Sequence, residues 1–153
     1  MTILGIGVDI IHTPRISALL KKRYAGRFVK KILSPAEYSG WVNLSTSGTS
    51  GDLVRYLAVR WSVKEAAYKA LYPTVRPTWK ELTYTSLNSG IKPSLSYQPL
   101  DGLSGSLVGP IHVSVSHDGE YVLSQVLVEL RLSTPSQTLP VEVDWATNLE
   151  PKV

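Results

Sequence analysis

Tyr56-Leu-Ala-Val-Arg-Trp-Ser-Val-Lys-Glu-Ala-Ala-Tyr-Lys-Ala-Leu71 reads as one long helix. Asp52 is the expected N-cap, because its carboxylate can accept from first-turn N–H groups. Pro73 predicts the stop, since it biases Tyr72 out of helical geometry. At about 100° per residue, Tyr56, Val59, Val63, Ala66, Ala67 and Ala70 share one apolar sector. Its alanines leave room for another backbone or a sheet to approach closely. Arg60 and Lys64 stack in a second sector, flanked by Leu57, Trp61 and Tyr68. Glu65 and Lys69 stack in a third, beside Ala58 and Ser62. Apolar residues flank every charge, so the helix is expected to be covered by protein and its charges to need partners. Taken alone, Glu65 and Lys69 read as an ordinary i,i+4 salt bridge, worth about 0.2–0.5 kcal/mol.

Upstream, residues 2–10 alternate and are β-branched, which predicts a strand. Gly5 and Gly7 within it signal a close backbone approach. Asp9 interrupts an apolar run and is expected at a strand end or facing a cation. Thr13 as N-cap and Pro14 as first helical residue predict a helix from 15 to about 22. Its apolar face is Ile16, Leu19 and Leu20. A basic helix is expected from about 24 to 32, and Ser34-Pro35 opens a short third one to about 41. Residues 43–51, rich in Ser, Thr and Gly, are expected to be a mobile loop.

Downstream of Pro73 the pattern turns to β. Strands are expected over 78–87 and 92–97, with a turn region at 101–109. The strongest signal is a hairpin at Asp118-Gly119 between two alternating arms. In the first arm Ile111, Val113, Val115 and His117 share a face, and His112, Ser114 and Ser116 share the other. After Ser133 the chain is rich in Pro, Ser and Thr, with an apolar run at 141–145. The domain is therefore placed at 1–132, with an inserted loop at about 42–52 and a C-terminal extension at 133–153.

The 153 residues, 43% hydrophobic and 18% charged, suit one domain with a real core. The absence of cysteine excludes disulfides and thiolate metal sites. No stretch approaches the roughly 20 apolar residues of a membrane span. The start lacks the basic region of a secretory signal and the composition of a transit peptide. The formal net charge is +4. From Ile10 to Ala36 there is no acid, but Arg15, Lys21, Lys22, Arg23, Arg27, Lys30 and Lys31 are present. Such a window implies an acidic partner.

Asp9, Arg60, Lys64, Glu65, Lys69 and His117 are the polar groups in apolar surroundings. Two carboxylates on different elements are the minimum for a hard divalent cation, and nearby lysines suit phosphate oxygens. The pattern points to Mg²⁺-assisted chemistry on a phosphate ester or anhydride. Three scattered histidines argue against zinc, and no P-loop, dinucleotide fingerprint or G-x-S-x-G occurs. Two other readings stay open on these residues. One is a Mg²⁺-dependent nuclease or phosphodiesterase; the other is a non-enzymatic module binding acidic proteins through 15–31. Basic residues not interleaved with stacking aromatics argue against a nucleic-acid partner.

Four motifs in this order carry a resemblance. They are Gly5-Ile-Gly-Val-Asp9; Arg27-Phe28 with Ile32-Leu-Ser-Pro-Ala-Glu37; Arg60-Trp-Ser-Val-Lys-Glu-Ala-Ala-Tyr-Lys-Ala70; and Ser114-Val-Ser-His117. Together they resemble the 4′-phosphopantetheinyl transferases of the small, holo-[acyl-carrier-protein] synthase type, over roughly residues 3–130. Ile11 stands where the two-lobed members of the superfamily carry a second acid, which favours the small type. Leu71-Tyr72-Pro73 replaces a glycine often found after the family's Lys-Ala.

The resemblance implies an α+β fold, with a long central helix packed on a small antiparallel sheet. It implies transfer of 4′-phosphopantetheine from coenzyme A to a serine of an apo acyl carrier protein, releasing adenosine 3′,5′-bisphosphate. It further implies Mg²⁺, a homotrimer with sites at subunit interfaces, and an intracellular setting, either cytoplasm or mitochondrial matrix. Residue by residue, Asp9 and Glu65 match the metal-binding acids, Glu65 also the base, and Lys69 a phosphate-holding lysine. Arg60, Lys64, Ser116 and His117 match the coenzyme A site, with Arg60 and His117 nearer its phosphorylated adenosine end. Arg15 matches a basic residue that receives the carrier, and Lys22, Arg23 and Arg27 extend that dock.

Overall fold

The structure, a computed structural model, describes residues 2–86, 92–100 and 105–131. In chain order these form β1 (Ile3–His12), α1 (Thr13–Leu20), α2 (Ala25–Ile32), α3 (Pro35–Ser47) and α4 (Ser50–Leu71). Then follow β2 (Leu82–Thr85), β3 (Ser94–Tyr97), β4 (Val108–Asp118) and β5 (Tyr121–Leu130). β1, β5 and β4 make an antiparallel sheet in that order, and β2 pairs with β3. The expected α+β architecture, with α4 across the sheet, is the one observed. The expected extension at 133–153, with its 141–145 run, lies outside the described residues.

The alternation of β1, β5 and β4 decides what α4 meets. Gly7, Asp9 and Ile11 lie opposite Val126, Ser124 and Val122, which lie opposite Val113, Val115 and His117. That face turns inward. Val63, Ala66, Ala67, Ala70 and Leu71 of α4 pack onto Val126 and Val128 in one core cluster. Each fully buried valine or leucine contributes about 1.5–3 kcal/mol. The approach is as close as the two glycines suggest. A Cβ on Gly5 would stand 2.0 Å from the Ala70 carbonyl oxygen, and one on Gly7 2.0 Å from that of Ala66. Main chain therefore rests on main chain here, with no side chain between.

The other face of the sheet is open. Ile6, Val8 and Ile10 of β1 and Leu123 of β5 are exposed there, with Ile10 62% accessible. Register places Ser116 on this outer face, opposite Leu123.

Several boundaries differ from expectation. The stretch expected as a loop at 43–51 is mostly helix: α3 runs on to Ser47, and Gly48 and Thr49 alone separate it from α4. Its hydroxyls serve the helix instead of breaking it, since Ser45, Thr46 and Ser47 donate to carbonyls of Val42 and Asn43. Tyr56 donates to the Glu37 carbonyl and packs on Trp41, holding α3 along α4. Asp52 is the third helical residue and closes a capping box with Thr49, which is the N-cap. Thr49 Oγ1 accepts from the Asp52 N–H, and Asp52 Oδ2 accepts from the Thr49 N–H. That backbone hydrogen bond holds the Asp52 carboxyl below its usual range. His12, not Thr13, occupies the N-cap position of α1, with no side-chain capping bond. Within 78–86, the described part of the strand expected over 78–87, only β2 is strand, and Glu81 accepts from the Thr78 N–H and hydroxyl and folds 78–81 into a turn. The stop at Tyr72 and the hairpin stand as read, with Gly119 at φ +52° in the turn.

Candidate active site

β1 sends Asp9 to its inner face, and α4 brings Glu65 down beside it. The two carboxylates line one cavity of about 130 Å³, together with Arg15 and Trp61. Lys69 does not pair with Glu65 along the helix. Its Nζ reaches across to the strand and donates to Asp9 Oδ1 and to the Val8 carbonyl, both at 2.9 Å. Glu65 Oε1 instead accepts from the indole Nε1 of Trp61 at 3.1 Å. The reading of Glu65 and Lys69 as a simple salt bridge is thus replaced by two separate contacts.

The donor set suits a hard cation. One oxygen of each carboxylate is held by a donor, and the second oxygen of each accepts no hydrogen bond from the described residues. Among the described residues no group of three or more His, Cys, Asp or Glu could enclose a metal. Two carboxylates fit Mg²⁺, which keeps several waters and takes substrate phosphate oxygens for the rest of its shell.

Arg60 and His117 lie on the opposite flank of α4. With Arg55, Tyr56, Tyr84 and Val115 they line a second cavity of about 490 Å³. Arg60 is buried, its guanidinium 3.2 Å from the centroid of the Tyr56 ring, and it donates to the Tyr56 carbonyl. Burial pulls its pKa down from the usual arginine range. Its Nε has no hydrogen-bond partner among the described residues. A buried guanidinium donor without an acceptor invites an anion. Burial likewise pushes the Tyr56 and Tyr84 hydroxyls up.

Two residues expected at the coenzyme A site, Lys64 and Ser116, do not line the Arg60 cavity. Lys64 is fully buried, and its Nζ donates to Glu37 Oε2 at 2.6 Å and to the carbonyls of Ile32 and Trp79. All three ammonium donors are used inside the fold, so Lys64 is an internal cation in this structure. Desolvation pulls its pKa down, opposed by Glu37. Ser116 sits on the outer face of β4, with the sheet between it and the Arg60 cavity, because it is one residue out of phase with His117. Of the expected dock, Arg15, Lys22, Arg23 and Arg27 are all exposed on or beside α1 and α2.

Sequence reasoning missed Trp61 and Glu37 as polar partners. The four-residue step from Trp61 to Glu65 is a contact spacing on any helix. Ser34-Pro-Ala-Glu37 reads as a capping box, and the structure forms it. The second task of Glu37, accepting also from Lys64 and the Tyr84 N–H, needs long-range contacts no local pattern carries.

The scaffold is thus a compact α+β unit that sets a strand carboxylate, a helix carboxylate and a lysine together at one helix–sheet seam. A family profile described as the 4′-phosphopantetheinyl transferase superfamily matches residues 5–126, and the chain belongs to that superfamily. The chain is 36% identical over 129 residues to a protein of Polaromonas sp. named holo-[acyl-carrier-protein] synthase, covering 83% of this chain and 96% of the other. It is 32% identical over 142 residues to one of Candida glabrata named mitochondrial holo-[acyl-carrier-protein] synthase, covering 81% and 93%. A crystal structure of a holo-(acyl-carrier-protein) synthase from Bacillus anthracis, in complex with CoA (3′,5′-ADP), superposes with a TM-score of 0.65 at 26% identity. It covers 84% of this chain and 98% of that one.

Proposed function

We propose that the chain is a holo-[acyl-carrier-protein] synthase. It transfers 4′-phosphopantetheine from coenzyme A to a serine of an apo acyl carrier protein and releases adenosine 3′,5′-bisphosphate. The observation that carries this reading is the convergence of Asp9 and Glu65 on one cavity in a chain of this superfamily.

The bond that forms joins the carrier serine Oγ to the pantetheine phosphorus. The bond that breaks is the pyrophosphate P–O bond to the adenosine bisphosphate. Glu65 takes the proton from the serine hydroxyl, directly or through water, since a hydroxyl needs a base beside its line of attack. Asp9 and Glu65 would hold Mg²⁺, which when bound neutralises the pyrophosphate and stabilises the leaving group. Lys69, half exposed, is within reach of the same oxygens and steadies the phosphates. Arg60 offers its unpartnered Nε to the phosphorylated adenosine end, with His117 at the mouth of that cavity. Arg15, Lys22, Arg23 and Arg27 receive the acidic carrier.

Incubating the protein with an apo carrier, coenzyme A and Mg²⁺ should add one phosphopantetheine mass to the carrier. Reversing the charges of Arg15 and Arg27 should raise KM for the carrier and leave that for coenzyme A within about twofold. No mass gain with any of several carriers would refute the reading. Cleavage of labelled nucleic acid would replace it with a nuclease.

The carboxylate cavity and the Arg60 cavity lie on opposite flanks of α4, so each is half a site. A homotrimer that joins one half from each of two subunits completes them. Its support is the outer sheet face, where Ile6, Val8, Ile10 and Leu123 form an exposed apolar patch of the kind that marks an interface. Ile10→Glu should convert a trimer into monomers by sedimentation and lose transfer with the assembly. A native chain that sediments as an active monomer would remove this part of the proposal. The working compartment is one that contains a carrier, cytoplasm or mitochondrial matrix; the mitochondrial name of the Candida relative supports the second. Imaging a tagged chain decides between them, and a secreted chain would exclude both.

A further inference from the structure

We infer that Trp61 is a positioning residue for Glu65 and ties the base to the face that receives the carrier. The inference rests on Glu65 being the base and metal ligand. The indole sits at a junction of three elements. Its Nε1–H donates to Glu65 Oε1 at 3.1 Å. Its ring packs against Phe28 of α2, centroids 4.8 Å apart and tilted by 59°. The guanidinium of Arg15, on α1, stands 5.6 Å from the ring centroid. The indole thus touches both basic helices at one end and the catalytic carboxylate at the other.

Chemistry gives this contact a purpose. A glutamate has three side-chain torsions and, half exposed on a helix, samples several rotamers. Of its two oxygens, the one bonded to the indole is fixed in direction by a donor that accepts nothing in return. The other accepts no hydrogen bond from the described residues, and Glu65 lines the cavity shared with Asp9. An indole clamped by Phe28 and Arg15 has little freedom of its own, so its N–H is a pre-placed anchor. A carboxylate competent only part of the time binds its cation and takes its proton only in proportion to that fraction. Arg15 makes the clamp responsive. When an acidic helix docks on α1, the charge it brings meets the guanidinium that lies over the indole.

The test uses the full chain. Trp61→Phe keeps an aromatic ring against Phe28 and Arg15 and removes the N–H. Installing 3-benzothienylalanine at position 61 keeps the fused bicycle and puts sulfur in place of the donor, so the shape is retained even if the phenylalanine variant folds poorly. Each change should lower kcat by about tenfold, with KM for coenzyme A within about twofold. Mn²⁺ titrated against the protein alone and counted by paramagnetic resonance should bind about fivefold more weakly. In a Glu65→Gln background the same changes at Trp61 should leave Mn²⁺ binding unaltered. Equal weakening in both backgrounds means that the ring acts through packing alone and overturns the inference. Native kcat in both Trp61 variants, with Glu65→Gln inactive, also overturns it while the reading of Glu65 survives. Native kcat in Glu65→Gln removes that reading, and this inference with it.

Discussion

Glu65→Gln should transfer phosphopantetheine about 10²–10⁴-fold more slowly than the native chain and unfold at the same temperature. The amide keeps the size of the carboxylate, so the cavity it shares with Asp9, Arg15 and Trp61 keeps its shape. What it loses is charge and basicity. A neutral amide neither takes the serine proton nor balances a divalent cation. Glu65 is not needed by the fold: its one hydrogen bond among the described residues is to Trp61 Nε1, and an amide oxygen accepts that bond equally well. Asp9→Asn should lose a comparable amount of activity, and Lys69 should then lose its charged partner on the strand. The measurement is single-turnover transfer followed by carrier mass, beside a thermal melt. Native turnover in Glu65→Gln would take the base away from this residue.

The second large effect is on stability. Lys64→Ala should cost about 3–5 kcal/mol, because it leaves the Glu37 carboxylate buried without its counterion. For a domain of this size that is a fall in Tm on the order of 10–20 °C. It also strips a donor from the carbonyls of Ile32 and Trp79, which tie the end of α2 to the segment before β2. Adding Glu37→Gln should restore part of the loss. The glutamine has no charge to strand and still offers an oxygen to the Tyr84 or Ser34 N–H. Chemical denaturation of the single and double variants gives the coupling. A Lys64→Ala chain of native stability with a sharply raised KM for coenzyme A would return Lys64 to the ligand site.

Sequence periodicity located the helix and the hairpin because both rest on local pattern. The alternation of 111–117 settles which residues face α4, and the glycines of β1 disclose how near the helix lies. Asp9 and Glu65 draw notice for a related reason, since an acid in an apolar run needs a partner, and the structure brings both to one cavity. The same argument does not find the partner of Lys64. It too is a charge among apolar residues, but its answer is Glu37, 27 residues earlier in the chain. Nothing local distinguishes a cation kept for a substrate from one kept for a buried carboxylate. Ser116 and His117 part company as the alternation predicts, because neighbours in a strand face opposite ways. The helical run to Ser47 was hidden by composition. Ser and Thr disfavour helix interiors on average, yet here their hydroxyls bond back to the preceding turn while Tyr56 and Trp41 pin the segment to α4.

The contact of Gly5 and Gly7 with the carbonyls of Ala70 and Ala66 works as a gauge block. Asp9 lies two residues beyond Gly7, and Glu65 is the residue before Ala66. The gap between the two carboxylates is therefore spaced by one backbone touching another, a distance with a hard lower stop. Side-chain cores can settle by a methylene when sequences drift; two main chains in contact have nothing to trim. Change in α3 or in the loops can then accumulate far from this seam without altering the span between the two carboxylates.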